Sequence, residues 1–378
     1  MTLPILQFGT SRFLQAHVDL FVSEALEAGE ALGGITVVQT TASPASTARV
    51  AALAAGAGYP VRIRGLQDGA PVESTVTCRA VQAALQADVD WERLRAAMAS
   101  HVRVVVSNTA DQGYQLDPAD DAGLVQDPAR VPRSFPAKLL VLLHHRWQQQ
   151  PQAPLSLFPC ELIERNGETL CAILSDLARD WMLPVAFVDW LGTHCVWANS
   201  LVDRIVSEPL HPVGAVAEPY ALWAIERRPG LVLPCAHPAI VLTNELDHHE
   251  RLKLFLLNAG HTFLAERWRA EGHPADMTVV QAMQHKGLRA ELEALWSDEI
   301  VPLFAALDKR DAAEAYLVTL RERLLNPYLA HRIADIAQNH AQKKQRRLAP
   351  AVALAQRLGL KLAQPRLQAA RARVRQRG

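Results

Sequence analysis

The sequence predicts an α/β chain in which an N-terminal domain built on a parallel sheet precedes a mostly α-helical C-terminal domain. Short β-branched runs alternate with amphipathic segments through the first half of the chain, and this alternation is typical of a parallel sheet with helices on both faces. Some of these runs are apolar without a break, as strands buried on both faces are. Beyond Pro219 the pattern changes to long helical segments.

Length and composition are those of a globular protein of about two domains. The 378 residues suit two domains at ~100–200 residues each. Hydrophobic residues make up 49% of the chain, yet no apolar run approaches the ~18 residues that a membrane helix needs. The opening MTLPILQFGT lacks the basic region and cleavage site of a signal peptide, so we expect a first strand there. The five cysteines include no CxxC pair, which favours reduced thiols in the cytoplasm over disulfides or structural zinc.

The first domain is expected over residues 1–210, and its elements follow from the pattern in order. The opening apolar run is the first strand, and the segment RFLQAHVDLFVSEALEAG after it is helical. Runs such as RVVVSNT are apolar and end in polar residues, as buried parallel strands do. Further strands are predicted at residues 35–41, 60–66, 74–81, 103–109 and 155–162, and further helices at 90–100 and 137–150.

The second domain is expected over residues 211–345, and it should be mostly helical. A proline-containing connection precedes it. Few strand signals occur in this part of the chain. Helical patterns are found at residues 251–272, 277–307 and 313–325.

A basic tail is expected over residues 346–378. From Lys343 to Gly378 there are eleven Lys and Arg and no Asp or Glu, although the formal charge of the whole chain is zero. Such a segment can contact nucleic acid or an anionic membrane. The alternative is a solvated or partly helical tail that lies against the acidic remainder of the chain. No aromatic residue is interleaved with the charges, as single-strand binding would require, so we expect neither a nucleic-acid nor a membrane partner.

The corner after the first strand, QFGTSRF, has the parts of a phosphate-binding turn. A dinucleotide site needs backbone N–H groups at a helix N-terminus and little side chain in the way. A serine can cap the helix, and a guanidinium suits a pyrophosphate. Since the corner holds one glycine, an ordinary strand-to-helix turn is the alternative. The candidate cofactor residues are Phe8, Gly9, Thr10, Ser11, Arg12 and Phe13 at the corner, and Ser107, Asn108 and Thr109 at the end of a buried strand.

The most informative segment is RLKLFLLNAGHTFLAERW, residues 251–268. At ~100° per residue, Lys253, His261 and Asn258 fall within one arc of about 140°. The surrounding positions are leucine and phenylalanine, and a helix that is apolar on all sides is buried. Burial lowers the pKa of a lysine, which makes the amine a proton donor and acceptor near neutral pH. The alternative is that Lys253 is exposed at the helix start and the other two residues are satisfied in the interior.

These residues resemble a known family. Lys253, Asn258 and His261 form KxxxxNxxH, and the corner GTSRFLQAH is similar to GxGxFxRAH. Both patterns resemble those of the polyol-specific long-chain dehydrogenases, which include the mannitol dehydrogenases and the hexuronate reductases. The resemblance covers residue 5 to about residue 350 and implies a Rossmann-like first domain. Further matching segments occur in family order: VVSNTADQG, FPAKL, PCELIERNG, NSLVDRI, EPY, LNAGHT, EIVP and NPYLAHRIADIA.

The resemblance implies a metal-free oxidoreductase. Hydride would move between a nicotinamide and a secondary-alcohol carbon, while Lys253 exchanges a proton with the oxygen. Asn258 would stabilise the developing alkoxide, and His261 would hold the substrate. Asp203 in NSLVDRI matches an aspartate near the lysine, with an ion pair to Arg204 as the alternative.

Glu161 and Lys343 are the substrate-binding residues that the resemblance implies. PCELIERNG and LNAGHT look most like the tagaturonate reductases, also called altronate oxidoreductases. Mannitol dehydrogenases typically carry CDN where this chain has Cys160, Glu161 and Leu162, so Leu162 removes an amide beside the substrate. The expected reaction is therefore the interconversion of a keto-uronate and its aldonate. A carboxylate substrate needs a cation, and the candidates are Arg165, Arg204 and Lys343.

NAD is the expected cofactor, although the signals for it are incomplete. The second fingerprint glycine is Ser11, and Gln39 and Thr40 stand where an Asp or Glu would bind the ribose hydroxyls. NADP stays open, with Arg49 within reach. We expect a small-molecule sugar acid or polyol as substrate, and a cytoplasmic monomer or dimer. The alternatives are a dehydrogenase of mannitol, arabinitol or a related polyol, and a catalytically silent nucleotide-binding regulator.

Overall fold

A computed structural model of the chain describes residues 3–41, 44–109 and 113–372. The chain divides into two compact units, which are described separately. The first unit takes Met1–Ile63, Ser74–Ala217 and Ala221–Leu246, and the second takes Arg64–Glu73, Glu218–Tyr220 and Asp247–Gly378.

The described strands and the helices up to residue 193 follow each other along the chain. The strands are β1 Ile5–Phe8, β2 Ile35–Gln39, β3 Tyr59–Gln67, β4 Ala70–Cys78, β5 Val81–Gln86, β6 Val104–Ser107, β7 Leu155–Pro159, β8 Cys195–Trp197, β9 Ser200–Asp203, β10 Val206–Pro209, β11 Ala215–Ala217, β12 Leu222–Glu226 and β13 Ile240–Thr243. The helices are α1 Arg12–Gln15, α2 Val18–Ala28, α3 Pro44–Ala54, α4 Trp91–Met98, α5 Gly123–Gln126, α6 Phe135–Gln149, α7 Asn166–Asp180 and α8 Val185–Thr193.

A six-stranded parallel sheet of order β5-β2-β1-β6-β7-β8 is the centre of the first unit. Ile5 of β1 pairs with Ile35 of β2 on one side and with Val104 of β6 on the other. The strands β1, β2, β6 and β7 are buried along their whole length, because hydrophobic clusters cover both faces of the sheet. The predicted fold class is therefore confirmed. The strand order reverses between β1 and β6, and doubly wound sheets bind ligands at the carboxyl ends of the strands at such a point.

Two of the predicted strands lie outside this sheet. β3 and β4 belong to a four-stranded sheet of order β10-β11-β3-β4. Most of their residues are exposed or half-buried, so they could not fill a sheet that is covered on both faces. The parallel sheet takes β5 as its edge strand instead, where the pattern VQAALQ leaves Gln82 exposed.

The first unit extends beyond the expected boundary at residue 210. Strands β9, β12 and β13 form a three-stranded sheet of order β13-β12-β9. Trp223 and Ile225 of β12 are buried in a core cluster of the first unit. Residues 221–246 therefore belong to the first unit, and they do not begin a helical domain.

The second unit is helical around its own core. Trp296, Phe263 and Phe304 are among its largest fully buried side chains. Two segments are π-helical, Lys253–Asn258 and Leu295–Ile300. The helices from residue 246 onward are α9 Leu246–Leu252, α10 Ala259–Glu271, α11 Val279–Gln284, α12 Lys286–Ala294, α13 Val301–Ala305, α14 Arg310–Leu324, α15 Ile333–Ile336, α16 His340–Arg347, α17 Ala349–Arg357 and α18 Pro365–Ala372.

The basic segment from residue 346 is part of this helical core as far as residue 372, and it is not a solvated tail. Leu348, Ala351, Val352 and Ala355 follow the i, i+3, i+4, i+7 spacing of an amphipathic helix, and all four are buried in the core. Helix α18 adds further core residues. No helix in the described ranges of the chain has the length and apolarity needed to cross a bilayer.

A buried carboxyl group lies in the core of the first unit. Asp19 in α2 is 1% exposed, and its Oδ2 accepts a hydrogen bond of 2.7 Å from the hydroxyl of Tyr59. Loss of solvation raises the pKa of Asp19 to about 7, although hydrogen bonds from Tyr59 and Gln7 act in the opposite direction. The folded state therefore binds the Asp19 proton more tightly than the unfolded chain does.

This carboxyl group should make the free energy of unfolding fall as pH rises. The folded pKa of about 7 lies above the usual value of 3.8 for an aspartate, so the stability contributed by the protonated form is lost as pH rises between these two values. Asp19→Asn keeps an acceptor for Tyr59 and removes the charge. We expect urea unfolding to show this variant more stable than the parent by about 1–4 kcal/mol at pH 8, and a smaller gain at pH 5, where only part of that stability has been lost.

The matched control is Glu27→Gln, at an exposed position of the same helix. Its stability should follow that of the parent at both pH values. An Asp19→Asn protein that is less stable than the parent at pH 8 would show that the charge of Asp19 is not a cost to the fold.

Candidate active site

The corner after β1 can accommodate only glycine at its first position. Gly9 has a φ of +113°, and its amide donates a hydrogen bond of 2.9 Å to the carbonyl of Val38. A Cβ at Gly9 would lie 2.6 Å from the carbonyl oxygen of Asn108. The corner therefore sits against the ends of both neighbouring strands, at the point where the strand order reverses.

The helix after this corner is shorter than expected. Ser11 caps α1, its Oγ accepting a hydrogen bond of 3.3 Å from the amide of Leu14. Helix α1 has four residues and α2 begins at Val18, so the predicted continuous helix is interrupted. Arg12 is exposed, and Phe13 stacks on His17 with a centroid separation of 4.8 Å.

Polar side chains at the end of β2 hold the corner. The hydroxyl of Thr10 donates to Oε1 of Gln39, and Nε2 of Gln39 donates to Oγ1 of Thr41 at 2.8 Å. Arg49 on α3 donates through Nη1 to Oγ1 of Thr10 at 3.4 Å. Thr40, between them in sequence, is half-buried. The end of β2 thus offers hydroxyls, a carboxamide and a guanidinium where the ribose of a dinucleotide lies in this kind of sheet.

Glu161 organises the loop after β6, residues 107–109. Its carboxylate accepts hydrogen bonds of 3.0 Å from Oγ of Ser107, from the amide of Thr109 and from Oγ1 of Thr109. The hydroxyl of Tyr114 donates at 3.3 Å. Burial raises the pKa of the Glu161 carboxyl, while the hydrogen bonds from Thr109 and Ser107 oppose the shift.

For Glu161, a predicted substrate-binding residue, the structure shows the surroundings of the carboxylate. Glu161 is 3% exposed, and both carboxylate oxygens are engaged with the 107–109 loop and Tyr114. Asn108 in this loop donates through Nδ2 to the carbonyl of Cys160 at 2.9 Å. Of the segment VVSNTADQG, residues 110–112 lie outside the described part of the chain.

In the second unit, Lys253 and Asn258 bound a π-helical turn. The expected geometry assumed α-helical spacing and is corrected here, since the i→i+5 turn is wider and each residue advances less around the axis. Lys253 and Asn258, five positions apart, therefore lie closer to one face than an α-helix would place them. Both side chains are half-buried, and Phe255, Leu256 and Leu257 between them are buried. Single π-helical turns occur often at functional sites.

Trp296 fixes the π-helical turn from the core. It belongs to the second π-helical segment, and its indole Nε1 donates to the carbonyl of Leu256 at 3.1 Å. Gly260 makes room for this ring, because a Cβ at that position would lie 3.2 Å from Cζ2 of Trp296. The glycine of LNAGHT is thereby explained by the close approach of the indole to the start of α10.

His261 lies in the first turn of α10, the helix that follows the π-helical turn in the second unit. Its side chain is 7% exposed, and its ring lies 5.4 Å from the ring of His331 in a T-shaped arrangement. The carbonyl of His331 accepts a hydrogen bond of 2.9 Å from the amide of Val279, which fixes the segment before α15. Sequence reasoning gave His331 no role, although it lies inside the matching segment NPYLAHRIADIA.

The three candidate cations for a carboxylate differ in their surroundings. Arg165 donates to Glu168 at 2.5 Å, and Arg204 donates to the carbonyl of Ala16 at 2.6 Å. Lys343 is half-buried on α16, and its Nζ donates to the carbonyl of Ile336 at 2.8 Å. Lys343 alone of the three lies in the second unit, the unit that carries Lys253, Asn258 and His261.

Asp203 is the remaining candidate catalytic residue. Asp203 is buried at the end of β9 in the first unit, where it pairs with Leu222 of β12. Within the described ranges, no group of three or more His, Cys, Asp or Glu side chains is arranged to hold a metal ion.

Known proteins resemble this chain along nearly its whole length. The family described as Mannitol dehydrogenase Rossmann domain matches residues 3–231, and the family described as Mannitol dehydrogenase C-terminal domain matches residues 245–373. The chain belongs to the mannitol dehydrogenase family. It is an NAD-type oxidoreductase of secondary alcohols by that membership.

Curated relatives in this family carry the name altronate oxidoreductase. The protein of Halalkalibacterium halodurans is 30% identical over 367 residues, which cover 92% of this chain and 69% of the relative. The protein of Klebsiella pneumoniae is 31% identical over 374 residues, which cover 92% of this chain and 74% of the relative. The resemblance predicted from the motifs is confirmed.

Solved structures of this family share the fold. Substrate-free D-sorbitol dehydrogenase has a TM-score of 0.77 at 18% identity, over 95% of this chain and 77% of that one. Mannitol 2-dehydrogenase of Pseudomonas fluorescens, in ternary complex with NAD and D-mannitol, has a TM-score of 0.77 at 19% identity, over 98% of this chain and 78% of that one. At these identities the likeness concerns the fold alone.

Removing the Glu161 carboxylate should loosen the 107–109 loop and weaken cofactor binding. In Glu161→Ala the hydroxyls of Ser107 and Thr109 and the amide of Thr109 lose their shared acceptor. Hydrogen bonds to a charged group are worth enough for a rise of about tenfold or more in the KM for NADH. Steady-state kinetics measure this, with thermal unfolding as the check on folding.

Glu164→Ala is the control, since Glu164 is exposed in the same segment. It should leave the KM for NADH unchanged. Equal KM values for the two variants would mean that the Glu161 carboxylate does not hold the loop for the cofactor.

Proposed function

We propose that this chain interconverts a keto-uronate of the tagaturonate type and an aldonate of the altronate type, using NAD and no metal ion. The observation that carries the proposal is the π-helical turn with Lys253 and Asn258 at its ends and His261 on the helix that continues it. An amine, an amide and an imidazole on one stretch of buried helix are the groups that proton transfer to a carbonyl oxygen requires.

The residues of the first unit fit a bound dinucleotide. The corner between β1 and α1 lacks a side chain at Gly9, and the first N–H groups of a helix have no partner within that helix. We propose that Phe8, Gly9, Thr10, Ser11, Arg12 and Phe13 hold the pyrophosphate, that Gln39 and Thr40 lie at the ribose, and that Ser107, Asn108 and Thr109 line the nicotinamide side. When bound, the cofactor supplies or accepts the hydride.

Lys253 then handles the proton. In the reducing direction its Nζ donates a proton to the carbonyl oxygen of the substrate, and in the oxidising direction it takes the proton back. Asn258 donates a hydrogen bond from its amide to the same oxygen and stabilises the charge that develops there. His261 holds a neighbouring hydroxyl. We propose that Asp203 is a further catalytic residue, and that Lys343 binds substrate.

A sugar acid is favoured over a neutral polyol by the loop after β7. Leu162 in this loop is 70% exposed, so the position offers an apolar side chain where mannitol dehydrogenases typically carry an amide. The curated relatives quoted above are altronate oxidoreductases. The second candidate is a dehydrogenase of mannitol, arabinitol or a related polyol, because the ternary structure of similar fold holds D-mannitol.

The proposal extends to the cofactor, the cellular compartment and the oligomeric state. NAD is preferred, and NADP remains a candidate because Arg49 reaches Thr10 at the corner. A cytoplasmic setting is supported by the cysteines, all five of which are free thiols. We propose a monomer or dimer without a nucleic-acid or membrane partner.

The proposed activity is tested with a substrate panel. Tagaturonate, tagatose and fructose are each offered with NADH and with NADPH, and turnover is followed by the loss of dinucleotide absorbance. We expect tagaturonate with NADH to have the highest kcat/KM. Turnover of fructose or another neutral ketose without turnover of the keto-uronate would favour the polyol dehydrogenase.

Lys253 is tested by substitution. Lys253→Met should lower kcat by between about a hundredfold and ten-thousandfold, the usual contribution of a positioned acid or base, and it should leave the affinity for NADH unchanged. Lys286→Met, at an exposed position of α12, is the control and should retain full turnover. Near-normal turnover by Lys253→Met would remove the amine from the mechanism.

A further inference from the structure

Helix α16 is anchored to α10 along one side. Nζ of Lys344 donates to Oε2 of Glu266 at 2.6 Å, and Nε2 of His340 lies 2.8 Å from the same oxygen. All three side chains are buried. Hydrogen bonds from His340 and Lys344 lower the pKa of Glu266 to about 2 against the opposing effect of burial. This carboxylate therefore neutralises Lys344 and fixes the orientation of α16.

Among the described residues, the other basic side chains of α16 have no such neutralising partner. Lys343 and Arg347 are one helical turn apart, a spacing that places their side chains next to each other, and both are half-buried. In the described part of the chain neither forms an ion pair with a carboxylate; Lys343 donates to the carbonyl of Ile336. Burial lowers the pKa of both groups, and the charge of Arg347 lowers that of Lys343 further.

A pair of partly desolvated like charges is an unfavourable arrangement in an empty protein. An exposed basic residue without a counter-ion costs the fold little free energy, because water solvates its charge. Lys343 and Arg347 have lost part of that solvation without gaining a counter-ion from the described ranges of the chain. An anion placed between them would relieve both the desolvation and the mutual repulsion.

His331 connects this pair to the residues of the proposed reaction. Its ring lies 5.4 Å from that of His261, and its Nδ1 is buried without a hydrogen-bond partner in the described residues. Burial lowers the pKa of His331. The charge of the exposed Asp335 raises this pKa, and the charge of Lys343 lowers it further. A neutral imidazole offers one nitrogen as a donor and the other as an acceptor.

We propose that Lys343, Arg347 and His331, here called the basic cluster, form the subsite for the anionic end of the substrate, and that Arg347 is the residue that selects a sugar acid over a neutral sugar. A guanidinium matches a carboxylate through two parallel hydrogen bonds, and an ammonium adds a point charge. Helix α16 packs against the π-helical turn and against α10, so the basic cluster flanks the stretch that carries Lys253 and His261. The inference rests on the proposed function and names the carboxylate as the feature that the chain recognises.

The test uses three sugars that differ at one carbon. Tagaturonate, tagatose and tagatose 6-phosphate carry a carboxylate, a hydroxymethyl group and a phosphate ester at that end. Arg347→Met should raise the KM for tagaturonate by about tenfold to a hundredfold, the range for a hydrogen bond to a charged group, with kcat and the KM for NADH little changed. Turnover of tagatose should stay as in the parent. Lys343→Met should act in the same direction.

The control is Arg346→Met, because Arg346 is the exposed neighbour on the same helix. Its kinetics should match those of the parent, so a general loss of positive charge is separated from a loss at the subsite. Arg347→Lys keeps the charge and should recover part of the affinity for tagaturonate; thermal unfolding of each variant shows whether the fold is kept. If Arg347→Met unfolds, the comparison of Arg347→Lys with Arg346→Met decides.

The outcomes separate the two proposals. If the parent reduces tagaturonate and Arg347→Met matches Arg346→Met, the subsite is wrong and the proposed function stands. If the parent prefers tagatose 6-phosphate, the anion is a phosphate and the carboxylate assignment is overturned. If the parent reduces no keto-uronate, the proposed function fails and the subsite fails with it.

Discussion

The second unit depends on a helix that changes its winding for one turn in the middle of a hydrophobic core. The wide turn between Lys253 and Asn258 is stabilised because Trp296 donates a hydrogen bond to the carbonyl of Leu256 and packs against Gly260. The two π-helical segments also pack against each other. Such a turn costs regular hydrogen bonding, and the surrounding core must supply the compensation. Its effect is to place polar groups on one face of an otherwise apolar helix.

In the first unit, the buried carboxylate of Glu161 satisfies polar groups at the end of a strand. Residues at the ends of parallel strands leave backbone and hydroxyl groups without sheet partners, and Glu161 satisfies those of Ser107 and Thr109. Gly9 allows the neighbouring corner to approach Asn108 without a side chain between them. Polar groups that are satisfied within the protein are rigid. The edge of the sheet where the strand order reverses is therefore preorganised by contacts within the protein.

The sequence alone predicted those elements whose hydrophobic pattern has a single physical explanation. Continuous burial on both faces made β2 and β6 predictable. Strand β5 was not predicted, because an edge strand tolerates exposed residues such as Gln82. The π-helical turn could not be inferred, since a fixed angle per residue was assumed. The basic segment was predicted to be a tail because its charges outnumber the leucines and alanines that face the core. His331 was missed because its proximity to His261 is a tertiary contact.

Net charge along a segment does not distinguish structural cations from binding cations. Lys343 and Lys344 are adjacent in sequence and identical in chemistry, yet α16 turns Lys344 onto Glu266 and leaves Lys343 beside Arg347. The helical rotation between neighbouring residues decides which amine is neutralised by the protein. A cation that already has a buried carboxylate partner has little to gain from an anionic ligand, whereas a partly desolvated cation without one has much to gain. The distribution of carboxylates in the core, rather than the number of lysines and arginines, therefore determines where an anion can bind.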